Sequence, residues 1–266
     1  MPGEYLILSG GVGGAKLVAG MQQLLAADAF SVIANTGDDF DHLGLPISPD
    51  IDTLMYTLAG IANTTTGWGQ KNESWNFMAA LEKLDGDTWF RLGDKDLATH
   101  IKRRELLAAG LTLTAATQSL CEQLGVDIRI LPMSDDPIRT ELETSAGTLS
   151  FQDYFVRRKA KPLTQAIHYS GNTAAQTSSE IAAALSAPTL RGIIIGPSNP
   201  WLSIGPILSI NALKPMISAR NIPVVAISPI VGGAAIKGPT AKIMSELGID
   251  VSAKGIASHY SEIIDG

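Results

Sequence analysis

The opening of the chain constrains its fold more than any other stretch. Tyr5-Leu6-Ile7-Leu8 is a short apolar run stopped at once by Ser9-Gly10-Gly11. Apolar residues then recur at helical spacing from Ala15 to Leu25, and Phe30 to Ala34 is a second apolar run. Buried strand, glycine turn, helix, buried strand is the pattern of a parallel βαβ unit, because parallel strands need a long crossover and are covered on both faces. The same rhythm returns late in the chain. Ile193-Ile194-Ile195-Gly196 and Val224-Val225-Ala226-Ile227 each run into a loop rich in Pro, Ser and Gly. The reading is an α/β fold: a Rossmann-like, mostly parallel sheet with helices on both faces.

Between these two parts the period changes. Asn35 to Asp52 is too rich in Gly, Pro and Asp to be regular. Helical spacing follows over 52–59, 73–84 and 96–124, interrupted at Gly93 and Gly110. This predicts a mainly helical lobe, at about 52–125, inserted in a single domain spanning 1–266. Strands resume at 127–131 and around 138–150, where Ala146-Gly147 marks a hairpin turn.

Composition narrows the function classes. A formal net charge of −6 argues against a nucleic-acid surface, which needs a basic stripe to release counterions. The basic run Lys102-Arg103-Arg104 stands beside Glu105 and reads as a solvated helix face. Cys121 is the only cysteine, so no intrachain disulfide is expected, and it reads as a small apolar residue on a helix. No stretch approaches the ~18 uninterrupted apolar residues of a membrane span. The N-terminus carries no basic, apolar leader pattern, and the expected location is the cytoplasm.

In open parallel sheets, ligands bind beyond the carboxyl ends of the strands. The loops at 9–14, 197–200 and 228–238 all follow apolar strands and are expected side by side. The first reads Ser9-Gly-Gly-Val-Gly-Gly-Ala-Lys16. Its glycines let backbone approach an anion, and the helix that follows adds positive charge at its N-terminus. Leu17 after the lysine excludes a Walker A loop, and the glycine spacing departs from the dinucleotide fingerprint. The next motif, Asn35-Thr-Gly-Asp-Asp39, follows the second strand, and Pro49-Asp-Ile-Asp-Thr53 comes at a helix start. Asp38, Asp39, Asp50 and Asp52 thus bring carboxylates opposite the glycine loop. Carboxylates, phosphate oxygens and water are what Mg²⁺ takes. The bland alternative is helix capping and an Asx turn. In Leu92-Gly-Asp-Lys-Asp96, Asp96 shares a helix face with His100. Ser198, Asn199 and Ser203 are placed to bond phosphate or base edges, and Lys237 to neutralise a phosphate.

Taken together, these motifs resemble the 2-phospho-L-lactate transferases of deazaflavin coenzyme F-420 biosynthesis. The matching stretches run in order from end to end: Ser9 to Lys16, Asn35 to Asp39, Ile47 to Thr57, Trp68-Gly69, Leu92 to His100, Leu131 to Asp136, Phe151 to Val156, Gly196 to Leu208 and Ser228 to Pro239. The resemblance implies transfer of a phospholactyl or phosphoenolpyruvyl group from a guanosine diphosphate-linked donor to the deazariboflavin Fo, with release of GMP and a requirement for Mg²⁺. It implies donor binding by Gly11, Gly13, Gly14, Lys16, Ser198, Asn199, Ser203 and Lys237. Metal binding falls to Asp38 with Asp50 or Asp52, and one of Asp50 and Asp52 meets the Fo hydroxyl as base or orienting group. Lys95, with Asp96 and His100, faces Fo. A homodimer is also implied. The family pattern continues beyond Tyr260, so a shortened C-terminal region is expected here. Two other readings compete: a nucleotide-sugar-binding regulator of the same superfamily, and an NAD-dependent dehydrogenase. The second lacks the acidic residue for the ribose.

Overall fold

The computed structural model describes residues 4–266. Its first unit is β1 (Glu4–Ser9), α1 (Gly11–Gln22) and β2 (Phe30–Ala34), with β1 and β2 parallel. A short hairpin follows, β3 (Phe40–His42) and β4 (Leu45–Ile47), in the stretch read as irregular. Both strands have only three residues, too few for alternation to be visible in the sequence. The helices α2 (Pro49–Leu58), α3 (Asn76–Lys83), α4 (Asp94–Ala108) and α5 (Leu113–Gln123) come next, then β5 (Arg129–Pro132). The strands β6 (Arg139–Thr144), β7 (Gly147–Ser150) and β8 (Thr164–Ser170) form an antiparallel sheet in the order β7-β6-β8. The last third runs through α6 (Ser179–Ser186), β9 (Leu190–Ile195), α7 (Gly205–Ser209), α8 (Leu213–Ser218) and β10 (Val224–Ala226). It ends with the hairpin β11 (Ile230–Val231) and β12 (Ala234–Ala235), then α9 (Thr240–Glu246) and α10 (Ala253–His259).

The central sheet has five parallel strands in the order β10-β9-β1-β2-β5. Side chains alternate across it, as the pleat requires. Leu6, Leu8, Ile33, Ile193 and Ile195 face one apolar cluster, which α6, α7, α8, α9 and α10 complete. Ile7, Val32 and Ala34 face the other, with Ala15 and Val18 of α1, Ile51, Leu54 and Met55 of α2, and Leu120 and Cys121 of α5. The apolar runs of the sequence are continuous because both faces are covered. Truncating a fully buried member such as Ile7 to Ala costs about 2–5 kcal/mol.

The helical segment divides in its packing. α2 and α5 lie on the sheet. The β3–β4 hairpin and the start of α3 and α4 close over a smaller cluster of Leu45, Ile47, Met78 and Leu92, with Phe40, Trp75 and Phe90 against it. Asp94 ties α3 to α4: its carboxylate accepts from Ser74 Oγ at 2.7 Å and from the backbone amides of Asn76 and Phe77 at 3.1 Å. Strand order reverses beside β1. The chain moves from β1 to β2 and β5 on one side, and returns as β9 and β10 on the other. The crevice between the β1 and β9 ends is therefore the switch point at which an open α/β sheet takes its ligand. Among the described residues, no helix is long and apolar enough to cross a membrane.

Candidate functional site

The loops leaving β1 and β9 are joined directly. Ser198 Oγ accepts from Gly10 N at 3.0 Å and donates to Gly10 O at 2.7 Å. α1 begins at Gly11, earlier than the sequence spacing suggested, so the glycine-rich stretch is the first turn of the helix. The reason for the glycines is visible in the packing. A Cβ on Gly13 would fall 2.4 Å from Pro197 O, and one on Gly14 would fall 2.1 Å from Ser9 Oγ. Those two positions let β1's loop and β9's loop touch. Gly11 differs: its φ is +62°, and only Asp50 Oδ1 stands near, at 3.8 Å. A Cβ on Gly10 would fall 2.5 Å from Asp50 Oδ2 and 2.6 Å from Ser203 Cβ. Gly10, Asp50 and Ser203 thus meet at one point.

Asp50 stands there because Pro49 starts α2 at its first turn, a place that suits a residue without an N–H. Asp50 Oδ2 accepts from Asn35 Nδ2 at 2.9 Å. Asn35 Oδ1 in turn accepts from Gly37 N at 2.8 Å, an Asx turn that shapes the loop after β2. The turn places Asp38 beside Asp50. Asp38 is 5% exposed and its Oδ1 has no hydrogen-bond partner. Burial, then the negative charge of Asp50, hold the Asp38 carboxyl well above the usual range, with Asn35 opposing. Burial also raises Asp50, to about 6, against hydrogen bonds from Asn35 and the Gly11 amide. Two adjacent buried carboxylates, one with an orphan oxygen, form a site that lacks positive charge.

Asp39 faces away from this pair. Ser48 Oγ donates to its Oδ2 at 2.7 Å, and its Oδ1 is unpartnered. Burial pushes it up to about 8, with Ser48, Arg139 and Arg103 offsetting part of the effect. A cavity of about 270 Å³ opens beside it.

Asp52 is not in the Asp38–Asp50 group. Two residues along a helix point to different faces, and Asp52 is bound instead to Arg103. Arg103 Nη2 pairs with Asp52 Oδ1, and Arg103 Nη1 lies 3.3 Å from Asp52 Oδ2. Arg103 also reaches His100 Nδ1 at 3.2 Å. Burial works against the charge of Arg103, and Asp52 more than restores it. The run Lys102-Arg103-Arg104, read as a solvated helix face, is corrected at its centre: Arg103 is fully buried, because α4 packs against α2 on that side. The network continues through His100 Nε2, 3.4 Å from Asp96 Oδ1, to Tyr56, whose hydroxyl donates to Asp96 at 2.6 Å. Burial raises Asp96, but His100 and Tyr56 outweigh it and hold it low.

The remaining expected residues are placed as follows. Asn199 Oδ1 accepts from Trp201 N and Leu202 N, both at 2.9 Å, and its Nδ2 donates to Thr240 Oγ1. It holds the β9 loop. Lys16 is exposed on α1. Lys95 is exposed, and its Nζ donates to Lys71 O at 3.2 Å. The amides of Lys95 and Asp96, at the start of α4, donate to the Glu73 carboxylate. Lys237 comes from the loop after β12, and its Nζ lies 2.7 Å from where a Gly67 Cβ would be. Asp135 Oδ1 caps α5 at Thr114 N, and Asp136 Oδ2 accepts from Gln176 N, so both hold loops. Ser48 and Tyr56 were not singled out from the sequence, Asn35 was named only within its motif, and Arg103 only within the basic run. Asn35 had a signal, its place at the end of β2. The other three look like ordinary helix and turn residues until α2 and α4 are packed together.

Comparison with known proteins shows the family of the chain. Residues 6–265 match the family described as 2-phospho-L-lactate transferase CofD. The chain is 38% identical to a phosphoenolpyruvate transferase of Streptomyces griseus over 99% of its own length and 84% of that protein's. It is 36% identical to a 2-phospho-L-lactate transferase of Methanosarcina acetivorans, over 98% of this chain and 83% of that protein. A Bacillus halodurans protein described as a UPF0052 family member has the same fold, with a TM-score of 0.59 at 15% identity, over 84% of this chain and 68% of that one. Across the whole length of both the sheet and the site-bearing loops, then, the chain belongs to the 2-phospho-L-lactate transferase CofD family.

Proposed function

We propose that this transferase moves a 2-phospholactyl or phosphoenolpyruvyl group from a guanosine diphosphate-linked three-carbon acid to the terminal ribityl hydroxyl of the deazaflavin Fo. The hydroxyl oxygen attacks the phosphorus that carries the acid. The bond from that phosphorus to the bridging oxygen breaks, GMP leaves, and a phosphodiester remains. The single observation that carries this reading is the buried Asp38–Asp50 pair at the sheet's switch point.

Among the described residues, no group of three or more acidic, His or Cys side chains forms a metal cage. Mg²⁺ does not need one, since it is commonly held by one or two carboxylates with water and substrate phosphates completing the shell. Asp38, with its orphan Oδ1, and Asp50 fit that role. When bound there, Mg²⁺ would neutralise charge on the diphosphate and the leaving phosphate. Asp50 also occupies the N-terminal end of α1, where an anion would otherwise sit. Carboxylate and phosphate would repel each other at that place without a cation, which supports a metal requirement.

The chain's own groups supply the rest. Gly11 leaves open space beside Asp50 for donor oxygens, and Ser203 adjoins it. Lys237, exposed beside Gly67, is the candidate point charge for the donor phosphates. Asp50, which burial raises to about 6 in the metal-free chain, is the group placed to accept the hydroxyl proton as it is lost; a base is most effective when its pKa lies near the working pH. Asp52, engaged by Arg103, is assigned to positioning α2, and Asp50 to the chemistry. Lys95 remains the acceptor-side candidate, exposed at the start of α4. Isothermal titration of Mn²⁺ into the wild type, Asp38→Asn and Asp50→Asn tests the metal assignment. Loss of binding in both variants supports it, and unchanged binding in either contradicts it.

A further inference from the structure

One large aromatic residue is held in the open beside this site. Trp68 is 45% exposed, the highest exposure among the chain's four tryptophans, whereas Trp201 is 8% exposed. Close to half of the indole's surface therefore stays accessible to a ligand. The loop that carries it is well built. Asn63 N donates to Gly69 O at 3.0 Å, and Gly67 N donates to Asn63 O at 2.9 Å. Asn63 Oδ1 accepts from the amides of Thr65 and Thr66, and Thr66 Oγ1 donates to Trp68 O at 2.7 Å. Gly67 and Gly69 flank the indole with φ of +80° and +70°, a conformation that favours glycine. The ring itself rests edge-on against Trp75, with centroids 6.1 Å apart and planes at 71°. Trp75 is in turn covered by the Arg91 guanidinium at 4.2 Å.

The loop touches both halves of the candidate site. On one side, a Cβ on Gly67 would lie 2.7 Å from Lys237 Nζ and 3.6 Å from Val12 Cγ2, in the first turn of α1. On the other, Gln70 Nε2 reaches Lys95 O at 3.5 Å, and Lys95 Nζ donates to Lys71 O. The segment that carries Trp68 therefore bridges the glycine turn, at Gly67, and the start of α4, at Gln70 and Lys71.

We infer that Trp68 is the stacking platform for the flat tricyclic ring of the acceptor. The inference rests on the transfer reading above. A flat heteroaromatic ring gains most from a rigid, pre-placed aromatic face, because little conformational freedom is lost on binding. The sugar chain of the acceptor would then extend toward Asp50, past Val12.

The test is calorimetric binding of Fo and, separately, of a guanosine nucleotide to the wild type, Trp68→Ala and Trp68→Phe, with steady-state kinetics alongside. Trp68→Ala should weaken Fo at least about tenfold, in the range that loss of an aromatic stacking partner produces elsewhere. The Michaelis constant for Fo should rise with it, with turnover at saturation nearly unchanged. Trp68→Phe should recover most of the affinity, and guanosine nucleotide binding should stay within about twofold in both variants. Fo affinity within about twofold of wild type in Trp68→Ala would overturn the platform alone. Equal losses for Fo and the nucleotide would overturn it too, since that marks a structural role for the loop. A wild-type chain that neither binds nor modifies Fo would refute the transfer reading, and the platform with it.

Discussion

Asn35 Nδ2 donates to Asp50 Oδ2 at 2.9 Å, which ties the loop leaving β2 to the first turn of α2. The bond holds Asp50 next to Asp38 and lowers the cost of burying a second carboxylate there. Replacing Asp50 by Asn removes the charge and keeps the shape. We expect Asp50→Asn to lose on the order of 10²–10³-fold in kcat, the scale of removing one preorganised electrostatic group, with an unchanged thermal midpoint or a higher one. Steady-state kinetics and thermal melts of the same preparation check this.

Asp52→Asn should behave in the opposite way. Asp52 is buried and paired with Arg103, so its loss leaves an uncompensated cation inside the protein. Breaking one partner of such a pair typically costs about 3–5 kcal/mol. The thermal midpoint should fall by several degrees. Turnover measured well below the new midpoint should stay within about tenfold of wild type, because Asp52 acts through the placement of α2. A loss of turnover as deep as that of Asp50→Asn, without loss of stability, would return Asp52 to the chemistry.

Stability should also depend on pH with a definite sign. Asp39 is raised from its usual range to about 8, so between about 4 and 8 the folded chain holds a proton that the unfolded chain has released. Stability from this group is fully present below about pH 4 and is lost as pH rises through about 8. Asp38 and Asp50, both raised, add to the same slope in metal-free protein. Metal-free melts from pH 5 to 8.5 should therefore show a falling midpoint, and Asp39→Asn should make the fall shallower between pH 5 and about 8. A midpoint that rises over this range would contradict the assignment.

The glycines of the first turn should separate by function. Gly13→Ala places a Cβ 2.4 Å from Pro197 O, so it should lower stability by about 1–3 kcal/mol by forcing the two loops apart. Gly11→Ala meets open space, but at φ +62° it costs only about 1–2 kcal/mol of backbone strain. Its main effect should be a higher Michaelis constant for the guanosine donor, several-fold or more, read from initial rates.

Lys95→Ala tests the acceptor side. Lys95 is exposed at the start of α4, and its Nζ is held at Lys71 O. The Michaelis constant for Fo should rise more than that for the donor. The reverse pattern would show that the start of α4 serves the donor.

The parallel sheet was legible because its strands are short, continuous apolar runs. The register of β1 on β2 and β9 brings the loops after them to one edge, as the spacing implied. The nearness of Asp38 and Asp50 was legible too, since one follows β2 and the other lies in the first turn of α2. The division between Asp50 and Asp52 was not legible, since it depends on which face of α2 meets α4. Nor was the burial of Arg103, since its neighbours Lys102 and Arg104 are solvated and give the run the look of a surface. Ser198 and Asn199 read as ligand contacts because hydroxyl and amide groups after a strand suit phosphates. In the fold those groups bond Gly10, Trp201, Leu202 and Thr240, which fixes the shape of the crevice.

The most direct measurement is mass spectrometry of the purified chain incubated with Fo, Mg²⁺ and a guanosine diphosphate-linked lactate, enolpyruvate or glycerate in turn. Transfer at the Asp38–Asp50 pair predicts a phosphodiester of Fo with one of these acids, one GMP released per product, and both formed on the order of 10²–10³-fold more slowly by the Asp50→Asn variant. Unaltered Fo and donor in every wild-type reaction, or product from Asp50→Asn at the wild-type rate, would contradict the account.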